Sequence, residues 1–178
     1  EPYLRTDTHW TPEGMALAAR LTAEKIALPK VGNGPAEKPV SRQITALGDI
    51  AAMLKLENAE RFFKPETVKA TDPRFRPDKN GQVLLLGDSF TNIFDVPAMN
   101  WGSDSGFANH LASSLGQPVD VIARNDAGAF ATRELLDNEL KRGRDRLKGK
   151  KVVVWEFAIR ELADGNWKML EMTLGKAP

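Results

Sequence analysis

The chain has 178 residues, 25 Lys plus Arg against 24 Asp plus Glu, a formal net charge of +1, and no cysteine. Such a balance gives no overall field for nucleic acid or a membrane surface. The missing thiols exclude disulfides and thiolate metal sites while leaving the compartment open, and no run approaches the ~20 apolar residues of a membrane span.

Chains of roughly 150 residues bury about 68–70% of their unfolded surface, so residues 1–178 read as one domain with a real core. The chain opens Glu1-Pro2-Tyr3 without an initiator Met and reaches a polar motif, Asp7-Thr8-His9, almost at once. A natural N-terminal portion, with any signal segment, is therefore expected to be absent. Thr11 as N-cap and Pro12 at the first helical position predict a helix over Met15 to Leu28, with Pro29 as its stop. Lys30 to Ser41 reads as a surface loop. Apolar residues at Leu47, Ile50, Ala51 and Leu54 predict a second helix over Ile44 to Leu56, weakened by Gly48. Lys64 to Gly81, rich in Pro and charge and locally basic at Arg74, Arg76 and Lys79, reads as a loop.

Beyond Gly81 the pattern is regular. Gln82 to Leu86 is a buried strand, since a strand covered on both faces shows a continuous apolar run. A helix over about Ser105 to Leu115 follows, then a break at Gly116-Gln117-Pro118, a strand at Val119 to Ala123, a helix over Phe130 to Leu147 and a strand at Lys151 to Phe157. Strand and helix alternate three times, which predicts an α/β architecture with a parallel sheet and helices on both faces. The run Lys141 to Lys151 holds seven cations and one anion. It complements the negative end of its helix in water, or offers a landing strip for an anionic polysaccharide.

Within Val83-Leu84-Leu85-Leu86-Gly87-Asp88-Ser89-Phe90, the strand stops at a glycine suited to a sharp turn. Ser89 then falls just past the carboxyl end of the strand, where ligands bind in open α/β sheets. Asp88 reads as the cap of the next turn. The same sequence also describes an ordinary strand-to-helix turn. Acyl transfer by serine needs a base within hydrogen-bond reach and a carboxylate that fixes the imidazole tautomer. Asp7 and His9, two residues apart, supply both types. An Asx turn is the plainer reading of that pair, and a metal site lacks a visible third ligand. The second of the two histidines, His110, sits mid-helix and reads as a surface or packing residue.

Together, Thr6 to Gly14 (Thr-Asp-Thr-His-Trp-Thr-Pro-Glu-Gly), the Gly87-Asp88-Ser89-Phe90 turn, and Trp155-Glu156-Phe157-Ala158-Ile159-Arg160-Glu161-Leu162 resemble the SGNH-hydrolase-like domain of the alginate O-acetyltransferases AlgJ and AlgX. The resemblance spans nearly the whole chain in the same order. Ordinary SGNH hydrolases carry Asp-x-x-His after the Gly-Asp-Ser. Here Asp-x-His precedes it, a permuted order that resembles the acetyltransferase branch. The fold implied is an SGNH-hydrolase-like, flavodoxin-like three-layer domain with a mostly parallel central sheet.

By matching position, the resemblance implies Ser89 as nucleophile, His9 as base and Asp7 as orienting acid. SGNH enzymes usually add an oxyanion hole from the serine N–H, a glycine after the second strand and an Asn after the third. Gly128 matches the glycine, with Asn125 as a nearby alternative donor. No Gly-x-Asn follows the third strand. Arg160 there either orients substrate, donates to the oxyanion, or clamps Glu156 or Glu161. Trp101 and, less so, Trp10 offer faces for sugar rings, with core packing as the alternative.

The activity implied is O-acetyl transfer through an acyl-serine onto hydroxyls of an exported, alginate-like polysaccharide. The setting implied is the periplasm, with a membrane-bound acyltransferase as acetyl donor and neither metal nor cofactor. A carbohydrate acetylesterase and a non-catalytic polysaccharide-binding domain are the alternatives.

Overall fold

The run Val83-Leu84-Leu85-Leu86 cannot be left in water, and the chain covers it on both faces. In the computed structural model, which describes residues 1–30 and 37–172, strand β3 (Val83–Gly87) is buried along its whole length. It is the middle strand of a parallel three-stranded sheet, between β4 (Val119–Ala123) and β5 (Val152–Trp155), with Val83 level with Val119 and Val152. Because side chains alternate along a strand, Val83 and Leu85 point to one face and Leu84 and Leu86 to the other. The first face is covered by helix α1 (Pro12–Ile26) through Met15, Ala19 and Ala23, and by α4 (Phe107–Leu115) through Phe107, Leu111 and Leu115. The second packs with Ile122 against Leu136 of α5 (Gly128–Lys141). This is the three-layer α/β arrangement expected from the alternation of strands and helices.

Two expectations need correction. The stretch expected as a helix over Ile44 to Leu56 is divided: strand β1 (Val40–Ala46) runs into Gly48, and only the short α2 (Asp49–Met53) is helical. Part of the expected loop Lys64 to Gly81 is strand β2 (Glu66–Asp72), antiparallel to β1 with Val40 level with Asp72. Cross-strand contacts outweigh local helical spacing here. Ile44 and Val68 sit opposite one another against the core, while Ser41–Thr71 and Thr45–Thr67 hydroxyl pairs line the outer face. The helix expected to run from Phe130 to Leu147 ends at Lys141, just before Gly143 at φ +75°.

Residues 1–11 carry no long element, yet they are firmly tied. Leu4 N donates to His9 O at 3.0 Å and Thr11 N to Pro2 O at 2.9 Å. Glu66, at the start of β2, accepts from Arg5 N and from both N and Oγ1 of Thr6. The hairpin thus clamps the N-terminal segment over the ends of β3 and α1. The cationic run is largely paired: Arg146 and Lys150 meet buried Asp120, Arg144 meets Glu139 and Lys141 meets Asp137. That leaves Arg142, Lys148 and Lys151 outside these pairs. Among the described residues, no helix is long and apolar enough to cross a membrane.

Candidate active site

Strand β3 ends at Gly87, where an added Cβ would lie 2.1 Å from Thr91 Oγ1, so only glycine lets the chain fold back on itself there. Asp88 caps the one-turn helix α3 (Ser89–Asn92), its Oδ1 accepting from Phe90 N at 2.8 Å. Ser89 is the first residue of that turn and 8% exposed.

His9, eighty positions earlier, reaches it: Nε2 lies 2.8 Å from Ser89 Oγ, and Nδ1 lies 2.6 Å from Asp7 Oδ1. An ionised carboxylate only accepts, so Nδ1 carries the ring proton and Nε2 of the neutral ring accepts from the serine hydroxyl. Asp7 Oδ1 also accepts from His9 N, while Oδ2 accepts from Trp101 Nε1 at 2.8 Å and Asp49 N at 3.1 Å. Burial alone drives the Asp7 carboxyl upward. The hydrogen bonds from His9 and Trp101 outweigh it and hold the group below its ordinary value of 3.8.

The segment needs further support, and α2 gives it. Asp49 accepts from Thr8 N at 2.9 Å and Thr8 Oγ1 at 2.7 Å, which fixes the residue between acid and base. Gly48 approaches so closely that a Cβ would lie 2.3 Å from Thr6 O and 2.5 Å from Asp7 Cβ. Asp49 Oδ2 comes within 3.9 Å of His9 Nδ1, so Asp7, His9 and Asp49 form a cluster whose third member the sequence did not reveal. Its atoms already satisfy one another through these bonds. Beside the cluster opens a cleft of 430 Å³, lined by Leu47, Ala51, Ile93 and Met99 as well as the three polar residues.

The other sequence-derived site residues take varied positions. Trp101 is fully buried, so its ring is not a platform for sugar; its indole N–H holds Asp7 instead. Trp10 is packed between Phe90, edge-on, and Phe107, stacked. Gly128 begins α5 at φ +63°, and Ala129 N donates to Glu161 Oε2 at 2.9 Å, so a carboxylate lies beside this glycine. Asn125 is exposed and its Oδ1 accepts from Asn92 Nδ2 at 2.6 Å. Arg160 is exposed and clamps neither Glu156, which faces Asp88 and Thr91, nor Glu161. His110 is half-buried, its Nε2 against Thr71 O at 2.9 Å, and burial pushes its ring below the ordinary 6.5.

Sequence reasoning missed four supporting residues: Thr8, Asp49, Glu66 and Glu156. Only Glu156 carried a signal, a carboxyl placed directly after an apolar strand. It is bound to the nucleophile turn, Oε2 accepting from Asp88 N at 3.1 Å and Thr91 Oγ1 at 2.8 Å. Asp88 Oδ2 in turn accepts from Ala158 N at 2.8 Å.

Comparison with known proteins identifies the family and the fold. A "Probable alginate O-acetylase AlgJ" of Pseudomonas fluorescens is 29% identical over 173 residues, covering 92% of this chain and 42% of that protein. The solved O-acetyltransferase domain of Pseudomonas putida AlgJ superposes with a TM-score of 0.62 at 29% identity, covering 93% of this chain and 56% of that one. Pseudomonas aeruginosa AlgX, at 22% identity and a TM-score of 0.56 over 88% of this chain and 35% of its own, shares the fold. The chain thus spans about half or less of the relatives it matches. Residues 1–159 match the family described as "SGNH hydrolase-like domain, acetyltransferase AlgX", and the chain belongs to that family.

Proposed function

We propose that the chain is a serine-dependent O-acetyltransferase acting on hydroxyls of an exported, alginate-like polysaccharide, with Ser89 as nucleophile, His9 as base and Asp7 as orienting acid. The observation that carries this reading is the 2.8 Å approach of His9 Nε2 to Ser89 Oγ, in a chain whose relatives are named alginate O-acetylases.

Ser89 Oγ attacks the acetyl carbonyl of a donor ester while Nε2 takes its proton, and the charge that develops on Nδ1–H is met by Asp7. The tetrahedral intermediate collapses, His9 returns the proton to the departing alcohol, and acetyl-Ser89 remains. A sugar hydroxyl then gives its proton to the same nitrogen and attacks the acyl carbon. The acetyl ester of the sugar forms, and the proton returns to Ser89. The N–H groups of Ser89 and Gly128 are the oxyanion donors in this reading, each such donor being worth ~10²–10³ in rate. Arg160, exposed on the segment tied to Asp88 through Ala158, is an orienting group for an anionic acceptor. The relatives' names support an alginate-like acceptor; a periplasmic setting and a membrane-bound acyltransferase supplying acetyl complete the proposal.

The test is to incubate the protein with a soluble acetyl ester, with and without de-acetylated alginate, and to follow acetyl in both polymer and solution. Polymer-bound acetyl that depends on Ser89 is the expected result. Acetyl released only as free acetate, at a rate indifferent to polymer, means an acetylesterase instead.

A further inference from the structure

Two carboxyl groups meet beneath the proposed nucleophile. Glu156 follows β5, and its backbone N donates to Leu86 O at 2.8 Å, which brings the end of β5 alongside the end of β3. Its side chain turns inward, where Oε2 accepts from Asp88 N and from Thr91 Oγ1, on either side of Ser89 in sequence. The carboxyl groups of Glu156 and Asp88 thus serve the same turn, near enough for the Asp88 carboxyl to act on Glu156. Asp88 uses its oxygens as acceptors, from Phe90 N and Ala158 N. Burial, beside a second carboxyl whose oxygens are both engaged as acceptors, outweighs the two hydrogen bonds that Glu156 accepts and favours its protonated form.

From this arrangement we infer that Glu156 is a positioning residue of the acyl-transfer site, acting as a neutral carboxylic acid that ties both sides of the Ser89 turn to the end of β5. The inference rests on the acyl-serine reading above for its catalytic consequence. Its proton does two things. It removes the repulsion between Glu156 and Asp88, so that the cap on Phe90 N keeps its place, and it keeps a second negative charge away from a carbonyl oxygen about to become an oxyanion.

The surroundings suit an uncharged acid. Glu156 lies at one end of a 380 Å³ cleft whose other lining residues are Trp10, Ala18, Thr22, Phe107, Val154, Trp155 and Phe157, none of them charged. From the β3–α3 turn the charged group facing it is Asp88, and from α3 it meets the neutral hydroxyl of Thr91. In its own segment Arg160 is exposed and Glu161 is engaged at Ala129 N. Burial, reinforced by the Asp88 charge, pushes Glu156 up from 4.5 to about 8.

The experiment compares wild type with Glu156→Gln and Glu156→Ala, using 4-nitrophenyl acetate as the acyl donor from pH 6 to pH 9.5, with melting temperatures followed from pH 5 to pH 9. Gln keeps an oxygen for Asp88 N and Thr91 Oγ1 and carries no charge at any pH, so it is the permanent copy of the protonated acid. Expected are a wild-type acylation rate that falls above about pH 8, a Gln variant within about threefold of wild type at pH 7 with that fall absent, and an Ala variant at least tenfold slower. Wild-type melting declines as pH rises towards 8, and that of the Gln variant does not.

An alkaline fall retained in Glu156→Gln overturns the proposal, as does an Ala variant of full activity. Should wild type leave the ester untouched, the acyl-serine reading fails separately. The melting comparison then decides on the proton, and equal pH response in wild type and Glu156→Gln counts against it.

Discussion

Trp101 donates its indole N–H to Asp7 across 94 positions of sequence, at 2.8 Å, in a fully buried contact. That bond occupies the Asp7 oxygen facing away from His9. The imidazole is thereby held by a carboxylate that has itself nowhere to turn. A residue with the look of a carbohydrate platform is here part of the support for His9.

Replacing the donor while keeping an aromatic ring isolates this effect. Trp101→Phe is expected to lower acetyl-ester turnover by about tenfold and to destabilise the fold by about 1–3 kcal/mol, the usual cost of leaving a buried acceptor short of its partner. Chemical denaturation and initial rates measure the two effects.

Asp7 has a defined pH signature. Its folded-state value is held below 3.8, chiefly against burial, by His9 and Trp101. A depressed carboxyl stabilises the fold above its unfolded value, and that contribution disappears as pH falls through the folded one. Wild type is therefore expected to be more stable than Asp7→Asn at pH 6, with the gap closing as the pH drops below 3.8. Denaturant midpoints at several pH values measure this. Turnover by Asp7→Asn is expected to fall on the order of 10⁴-fold, because Asn leaves the wrong ring nitrogen protonated.

Gly48 is expected to tolerate nothing larger. A methyl group there would sit 2.3 Å from Thr6 O and 2.5 Å from Asp7 Cβ, both on the segment that carries the acid and the base. Gly48→Ala is expected to cost about 1–3 kcal/mol and to slow acylation at least tenfold, since the strain is relieved by moving Asp7. Melting temperature and burst kinetics read the two effects separately.

Asp49 is the exposed-side counterpart. Its two bonds to Thr8 hold the short segment between Asp7 and His9. Asp49→Ala is expected to reduce turnover by about tenfold while costing only about 1 kcal/mol of stability, because one side of the residue is already open to water.

The three-stranded core was legible because its signal is chemical and local. Val83 to Leu86, Val119 to Ala123 and Val152 to Trp155 are apolar runs set off by breaks, and helices separate them. That Asp7, His9 and Ser89 meet was legible for a similar reason: in a chain with two histidines, Asp7-Thr8-His9 and Gly87-Asp88-Ser89 leave few pairings. The β1–β2 hairpin was not. Leu47, Ile50, Ala51 and Leu54 have helical spacing, and nothing between Pro39 and Ala46 announces a partner strand 26 residues away at Glu66 to Asp72. Its stability comes from pairing between distant segments, which no window of sequence contains. Asp49, Glu66 and Glu156 escaped notice for the same reason, since each acts on a backbone or side-chain group at least 41 positions distant.

The central claim is that Ser89 becomes acetylated with His9 as its base. Mass spectrometry of the protein quenched during turnover of an activated acetyl ester tests it most directly. One acetyl group on the peptide containing Ser89, absent from Ser89→Ala and His9→Ala, is the expected result. Acetyl found on other residues alone, or equal labelling in Ser89→Ala, would contradict it.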